Sequence, residues 1–548
     1  MSDCKQCKSS FEITDEDRKF YSKIDVPEPT LCPECRLQRR LAWRNESNLY
    51  SLKCDLCNKN MITCYNGDYD SPVYCKECWW SDNWDPRTYG RDFDFSRPFF
   101  EQYDELLKVV PKMGQMQLQN ENCPYANWLA YSKNVYMSPG SYFLEDCLYL
   151  WKSQRCKDVV DGNFLNECEI MYSCIHCSNC YNGQFLNNCR NCSDSTYLSD
   201  CVGCKKCFMC SGLSGQKYCI KNHQLSKEDY EKQVEEYMKK NPQELATEFA
   251  EFNKTIPKKY QNNIACENSV GDYLQNCKNA QYCFDCFDIE DCKYLDNCVA
   301  VKDSIDLTDH DKDIELCYEI MGGGESNREV KFSSCPVASP FSEYLNSCFN
   351  LSNGFGCDGF HSKSKFCILN KQYSESEYKE MRLRIIKHMK GTGEWGEFFP
   401  ITLSPFAYNE SIAYEYFPLI NEEVLNRGCR WKDFENKVKN ITKTIPASRL
   451  PDNINDVPDD ILNWAIECEE TGRLFKLQPH ELKFYRRFNI PVPHFHPEVR
   501  HTKLNSLRNP RKIYKRKCDK CQCDIQTTYA PERQERIYCE SCYLKEVY

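Results

Sequence analysis

Every cysteine from Cys147 to Cys219 lies a multiple of three residues from every other: 147, 156, 168, 174, 177, 180, 189, 192, 201, 204, 207, 210 and 219. A helix marked at strict threes would drift around its axis, and a strand alternates at two. Neither element explains the register. A motif of Phe or Tyr, then Leu, any residue, a polar residue and Cys recurs at 143–147, 164–168, 185–189 and 197–201, and again at 273–277, 294–298 and 344–348. Cys147, Cys168, Cys189 and Cys210 are spaced by 21, as are Cys277 and Cys298. Fixed-period self-similarity means stacked repeats. The sequence therefore predicts a β-solenoid of about 21 residues per coil, with cysteines stacked inward and Asn or Asp at the corners.

The ladder is itself duplicated. Lys217-Tyr218-Cys219-Ile220-Lys221-Asn222 matches Lys365-Phe366-Cys367-Ile368-Leu369-Asn370. After each copy comes a helix start: Ser226 before Asp229 and Ser374 before Glu377 are capping-box-like. Apolar residues follow at helical spacing, so these helices are expected to cap the open ends of the stacks. The 25 cysteines between 123 and 367 have two readings. As small buried hydrophobes they pack the interior. Alternatively, runs such as Cys174-x2-Cys177-x2-Cys180 or Cys201-x2-Cys204-x2-Cys207-x2-Cys210 bind metal or a cluster. A flat ladder aims sulfurs along a row rather than around one point, which favours packing.

A second repeat frames the first. Positions 4–78 recur at 468–542 with a constant offset of 464. The first copy carries Cys4-x2-Cys7, Cys32-x2-Cys35, Cys54-x2-Cys57 and Cys75-x2-Cys78; the second keeps only Cys518-x2-Cys521 and Cys539-x2-Cys542. Paired Cys-x2-Cys knuckles separated by 17 residues are four-cysteine zinc spacing. Cys54/Cys57/Cys75/Cys78 and Cys518/Cys521/Cys539/Cys542 fit it identically. Cys4, Cys7, Cys32 and Cys35 form a treble-clef-like set, knuckle then helix. Three zinc ions per chain are expected, all in closed structural sites. At the fourth place stand Cys468, Thr471, His496 and Val499, read as a metal-free remnant, with a rebuilt Cys468/histidine site as the alternative.

The segment Phe11-Glu12-Ile13…Phe20-Tyr21…Pro27…Pro29…Cys32-Pro33-Glu34-Cys35-Arg36 resembles the "probable zinc-ribbon" family of small bacterial proteins. Nearly the whole chain is similar to a cysteine-rich zinc-ribbon family of small-genome bacteria and some large viruses. The motifs are Trp395-Gly396-Glu397-Phe398-Phe399-Pro400, Ser404-Pro405-Phe406-Ala407-Tyr408-Asn409-Glu410 and Tyr538-Cys539-Glu540-Ser541-Cys542-Tyr543. The resemblance implies zinc-ribbon architecture and implies no activity.

The expected fold is mainly β: duplicated treble-clef/zinc-ribbon modules at both ends flank a two-part cysteine-ladder β-solenoid with capping helices. The segments are a double zinc module at 1–80, an aromatic connector at 81–122, a first solenoid at 123–225, a helical insert at 226–262 and a second solenoid at 263–373. A capping helix at 374–392, an aromatic and Pro-rich packing segment at 393–466 and the second zinc module at 467–548 follow. There is no run of about 18 apolar residues, so no membrane span is expected. The start lacks an apolar signal-peptide core, and thiolate ligands need a reducing compartment, which points to the cytoplasm.

No catalytic motif stands out, and no small-molecule substrate is indicated. The reading is a non-enzymatic zinc-binding scaffold. Net charge is −10, yet local basic stretches bridge the knuckle pairs. Arg36, Arg39, Arg40 and Arg44 in the first module, and Arg500, Lys503, Arg508, Arg511, Lys512, Lys515, Arg516 and Lys517 in the second, suggest contact with nucleic acid or a nucleoprotein such as the ribosome. The alternatives are a structural component that self-assembles and a thiol-based metal-handling protein.

Overall fold

The triplet register of the sequence is a triplet of backbone conformations. In the computed structural model, which describes residues 1–547 apart from Lys437 and Lys439, left-handed residues recur at every third position of the ladder. Asp146, Tyr149, Lys152, Arg155, Asp158 and Asp161 have φ between 49° and 58°. Each immediately precedes an inward residue: Cys147, Leu150, Ser153, Cys156, Val159 and Gly162. A left-handed L-residue costs roughly 1–2 kcal/mol, least for Asn and Asp, which is why those types crowd the corners. They also stack. Asn134 donates to Asp146 (2.8 Å), Asn182 to Asp194 (2.9 Å) and Asn188 to Asp200 (2.7 Å), each one coil apart.

Parallel pairing sets the coil length. Glu145 faces Lys157, Lys157 faces Glu169, and Glu169 faces Tyr181, so each strand pairs with one twelve residues on. The coil is therefore four triplets, not the 21 residues expected. Twenty-one is seven triplets: the aromatic-Leu-x-x-Cys motif returns almost two coils later, one side short. Any multiple of three preserves the corner geometry, and only hydrogen bonding between coils fixes closure at four. In the second solenoid the step is twelve in some coils, as at Lys278/Glu290, and thirteen in others, as at Ile305/Tyr318, Tyr318/Lys331 and Leu351/Ser364.

A four-sided coil has a narrow interior. A Cβ placed on inward-facing Gly183 would lie 2.6 Å from Leu186 Cδ1 and 3.1 Å from Met171 Cε. Cysteine and serine suit this space because they are small and donate hydrogen bonds. Cys147 Sγ donates to the Glu145 carbonyl (3.2 Å) and the Cys156 carbonyl (3.5 Å). Cys168, Cys192, Cys201 and Cys210 repeat the pattern, each to the carbonyls two residues before and nine after. Ser153 takes the same place, donating to Trp151 and accepting from the Leu165 amide.

The chain divides into two units. One combines Met1–Gln115 with Gln261–Lys432, and the other combines Met116–Tyr260 with residues from Asp433 on. The N-terminal module thus belongs with the second solenoid, and the C-terminal module with the first. In the first unit, hairpin Ser2–Asp3/Ser10–Phe11, helices Asp15–Lys23 and Pro33–Leu41, and hairpin Tyr50–Lys53/Asn60–Thr63 form the module. Trp79 of the module and Trp84 of the aromatic connector seat it, packing on His361 of the solenoid at 5.3 and 4.6 Å between ring centroids. Phe398 and Phe399 pack on Trp43. Helix Glu375–Thr392 starts in a Ser374/Glu377 capping box and sets Tyr378 against Phe366 of the last coil.

In the second unit, helices Lys227–Tyr237 and Pro242–Lys254 close the stack, placing Tyr230 against Tyr218 and Phe249 against Tyr197. Helices Pro479–Phe488 and Pro497–Asn505 and the hairpin Tyr514–Lys517/Asp524–Thr527 repeat the module of the first unit. The two modules dock alike. Arg36 pairs with Asp306 (2.7 Å) and its counterpart Arg500 pairs with Asp161 (2.8 Å). Tyr21 lies 5.3 Å from Tyr318, and its counterpart Tyr485 lies 5.9 Å from Tyr172. No helix among the described residues is long and apolar enough to cross a membrane.

Candidate metal centres and the basic residues beside them

Among the described residues, three cysteine sets bring their sulfurs within 4.8 Å of one another: Cys4/Cys7/Cys32/Cys35, Cys54/Cys57/Cys75/Cys78 and Cys518/Cys521/Cys523/Cys539. The same local device builds each. In a knuckle the chain turns back through a left-handed residue, Lys8, Asn58 or Gln522, at φ 63°, 59° and 63°. Its amide donates to the first cysteine's carbonyl, at 3.0, 2.8 and 2.9 Å. The two sulfurs of the knuckle then face one point.

The second pair arrives on the start of a helix. Cys32 caps Pro33–Leu41, with Pro33 at the first helical position and Cys35 in the first turn. The unsatisfied amides and positive end of such a helix favour thiolate. Cys32 is drawn down to about 5, chiefly by the hydrogen bond from Cys35. Cys75 likewise precedes Lys76–Trp79, and its amide donates to Cys54 Sγ (3.2 Å); Cys539 does the same to Cys518 (3.3 Å). Asp55 accepts from the Val73 amide (2.7 Å) and Asp519 from Ile537 (2.6 Å), tying each knuckle to its returning strand.

Sulfur separations decide whether a metal fits. A tetrahedral ion with bonds of about 2.3 Å holds its sulfurs about 3.8 Å apart. Cys7–Cys32, Cys57–Cys75 and Cys521–Cys539 measure 3.7, 3.8 and 3.7 Å. Three cysteine tetrads are therefore placed to hold a metal ion. Four thiols fill a tetrahedron and leave no position for reacting water.

The third set differs from the expected one. Cys523 joins Cys518, Cys521 and Cys539 in the mutually close group. Cys542, the expected fourth ligand, lies on the following helix Glu540–Val547 and is buried, outside that mutually close group. Sequence spacing missed Cys523 because pairs were counted; the signal was its place two residues after Cys521, where the first copy has Lys59. At the remnant site the knuckle turn persists without its ligands, the Gly472 amide donating to the Cys468 carbonyl (2.9 Å). His496 Nδ1 accepts from the Glu498 amide at the start of Pro497–Asn505. The histidine thus serves as a helix cap.

The ladder thiols have a different environment. Burial pushes Cys156, Cys317 and Cys335 up to about 12. These three stay protonated, Cys156 and Cys317 donating to the Gln154 and Glu315 carbonyls. Neighbouring thiols draw Cys180 and Cys204 down instead, yet among the described residues no ladder cysteines form a mutually close set like the three tetrads.

Several basic residues singled out for nucleic acid prove to be interior. The side chains of Arg36, Arg40 and Arg44 are 2%, 1% and 4% exposed. They meet Asp306, Glu46 and Asp309, and Arg39 spans Glu319 and Glu397. Arg500 is held by Asp161, Glu481 and the Tyr485 hydroxyl. These five arginines dock modules onto solenoids and are not available to phosphates. Arg36, Arg39 and Arg40 lie on helix Pro33–Leu41 and Arg500 on its counterpart Pro497–Asn505; that a solenoid covers them is a tertiary fact. Arg508 lies over Phe164 at 4.0 Å, and Arg516 is 12% exposed and pairs with Asp519. Arg511 is half-buried, whereas Lys503, Lys512, Lys515 and Lys517 are exposed. Of these, Lys503 pairs with Glu470 and Lys517 with Asp524.

No family model and no curated protein matches the chain. Among solved structures it is similar to a proposed acetyltransferase from Desulfovibrio desulfuricans G20, with 11% identity over 50% of this chain and 82% of that one. The TM-score of 0.10 is too low to carry an argument.

Proposed function

We propose that this protein is a zinc-organised structural scaffold, with a double-knuckle module fastened to the flank of a β-solenoid in each unit. The observation that carries this reading is the sulfur geometry: three convergent tetrads at tetrahedral separations, beside a ladder whose thiols are committed to backbone carbonyls. All-thiolate tetrahedral sites suit zinc, and closed ones are structural. Thiolate ligands in turn favour a reducing compartment. Elemental analysis of natively purified protein tests this. Three zinc ions per chain are expected, one for each tetrad. A chain without zinc, or one holding iron in its place, overturns the reading.

Contact with nucleic acid is a second reading, now confined to the C-terminal ribbon. Its support is the strand Tyr514–Lys517, which turns Lys515 and Lys517 outward, with exposed Lys512 just before it. Charge reversal at Lys512, Lys515 and Lys517 should weaken binding to single-stranded oligonucleotides and flatten its salt dependence. Unchanged binding would leave the scaffold to act through protein contacts or self-assembly.

A further inference from the structure

The duplication supplies an internal control for one more site. In both ribbons the first cysteine's amide closes the knuckle onto the carbonyl five residues on: Cys54 onto Lys59 (2.9 Å) and Cys518 onto Cys523 (2.8 Å). The backbone is the same, and the side chain differs. Lys59 is exposed in the first ribbon. Cys523 instead turns its thiol to within 4.8 Å of the Cys518, Cys521 and Cys539 sulfurs. Cys542, on helix Glu540–Val547, stands where Cys78 completes the tetrad of the first ribbon. Five thiols therefore compete for a centre where a tetrahedral ion uses four: the mutually close Cys518, Cys521, Cys523 and Cys539, and Cys542 from the retained pair spacing.

The two candidates for the fourth position lie in different surroundings. Cys542 is buried at 9% relative exposure, while Cys521 and Cys523 are exposed and Cys539 is partly so. An incoming ligand approaches from the open side, which is the side Cys523 occupies. A thiol already in place there lowers the barrier to ligand exchange, because the metal gains a fifth ligand before losing one and need not pass through a three-coordinate state.

We propose that the C-terminal centre is a ligand-swapping metal site, in which Cys523 and Cys542 alternate as the fourth sulfur and through which metal is exchanged with thiol or chelating ligands outside the protein. In the swap, the Cys523 thiol gives up its proton as its sulfur bonds the metal, and Cys542 takes up a proton as it leaves. The Cys54 centre, with Lys59 in place of the fifth thiol, holds its metal closed. This rests on the zinc reading above.

The test uses the full chain loaded with zinc, freed of excess metal by gel filtration and counted by elemental analysis. Cys542→Ser should keep all three ions, with Cys523 supplying the fourth sulfur. Cys78→Ser, its counterpart in the first ribbon, should lose one, and so should Cys542→Ser combined with Cys523→Ser. Stopped-flow transfer to a chromogenic zinc chelator gives a second readout that does not disturb the tetrad. Cys523→Ser should slow the fastest-released ion, and Lys59→Cys should speed release of a second. Loss of one ion by Cys542→Ser alone, or release kinetics unaffected by Cys523→Ser, overturns the swap while leaving the zinc reading intact. A wild-type chain that binds no zinc overturns both.

Discussion

Replacing the four ladder cysteines of one coil, Cys201, Cys204, Cys207 and Cys210, separates a packed interior from a metal-holding one. All four are buried, at 0% or 1% exposure. Cys201 Sγ donates to the Ser199 carbonyl (3.3 Å) and the Cys210 carbonyl (3.7 Å). Serine already fills an equivalent place one coil earlier: Ser195 Oγ donates to Ser193 (2.8 Å) and accepts from the Cys207 amide (3.0 Å). Cys201→Ala should cost about 0.8 kcal/mol in lost burial. A sulfur-sized void of about 25 Å³, at about 24 cal/mol per Å³, adds about 0.6 kcal/mol. With the weak hydrogen bonds gone as well, the total is about 1.5–2 kcal/mol.

Cys201→Ser should cost less than about 1 kcal/mol, because the hydroxyl keeps its partners. Urea unfolding followed by circular dichroism measures both, and elemental analysis follows metal. Serine tolerated better than alanine, with zinc unchanged even in the fourfold serine variant, is the expected result. Loss of a metal ion from the fourfold variant would refute the packing argument, since a coil that only packs has no ion to lose.

Removing Arg500 leaves Asp161 and Glu481 buried without their cation, so Arg500→Met should destabilise the second unit by about 3–5 kcal/mol in urea unfolding. Arg36→Met should do the same to the first unit, stranding Asp306. His310 is buried beside Asp309, Arg44 and Arg40, and burial holds its imidazole down to about 3 from its usual 6.5. An unfolded histidine binds a proton below 6.5, so stability is full above that pH and falls as pH drops from 6.5 toward 3, by at most about 1.4 kcal/mol per pH unit. His310→Gln should flatten that part of the first unit's pH-stability curve, and an unchanged slope would count against the burial argument. Stripping metal with a thiol-directed mercurial and chelator should open the ribbon hairpins to amide exchange while the ladder strands Glu145–Ser211 stay protected; simultaneous loss of both would show that the solenoid depends on metal.

What the sequence determined by itself was local. A left-handed residue every third position, with a small donor after it, is written in the run from Cys147 to Cys219, because corner geometry depends on consecutive residues. The knuckles are equally local: Cys-x2-Cys brings two sulfurs together through one turn, and the retained pairs at 518–521 and 539–542 mark the same ribbon twice. Closure of the coil at twelve residues was not legible, since seven triplets and four triplets obey the same corner rule and only hydrogen bonds between coils choose. Nor was the fifth thiol's role legible, since Cys523 is distinguished from any other surface cysteine only by where Cys539 returns. The basic stripes misled for the same reason. Arg36, Arg40, Arg44 and Arg500 look like a phosphate-binding face until Asp306, Asp309 and Asp161 arrive from solenoid coils hundreds of residues away in sequence. Burial and charge pairing over such separations belong to the tertiary structure, because only the folded chain decides which surface covers which.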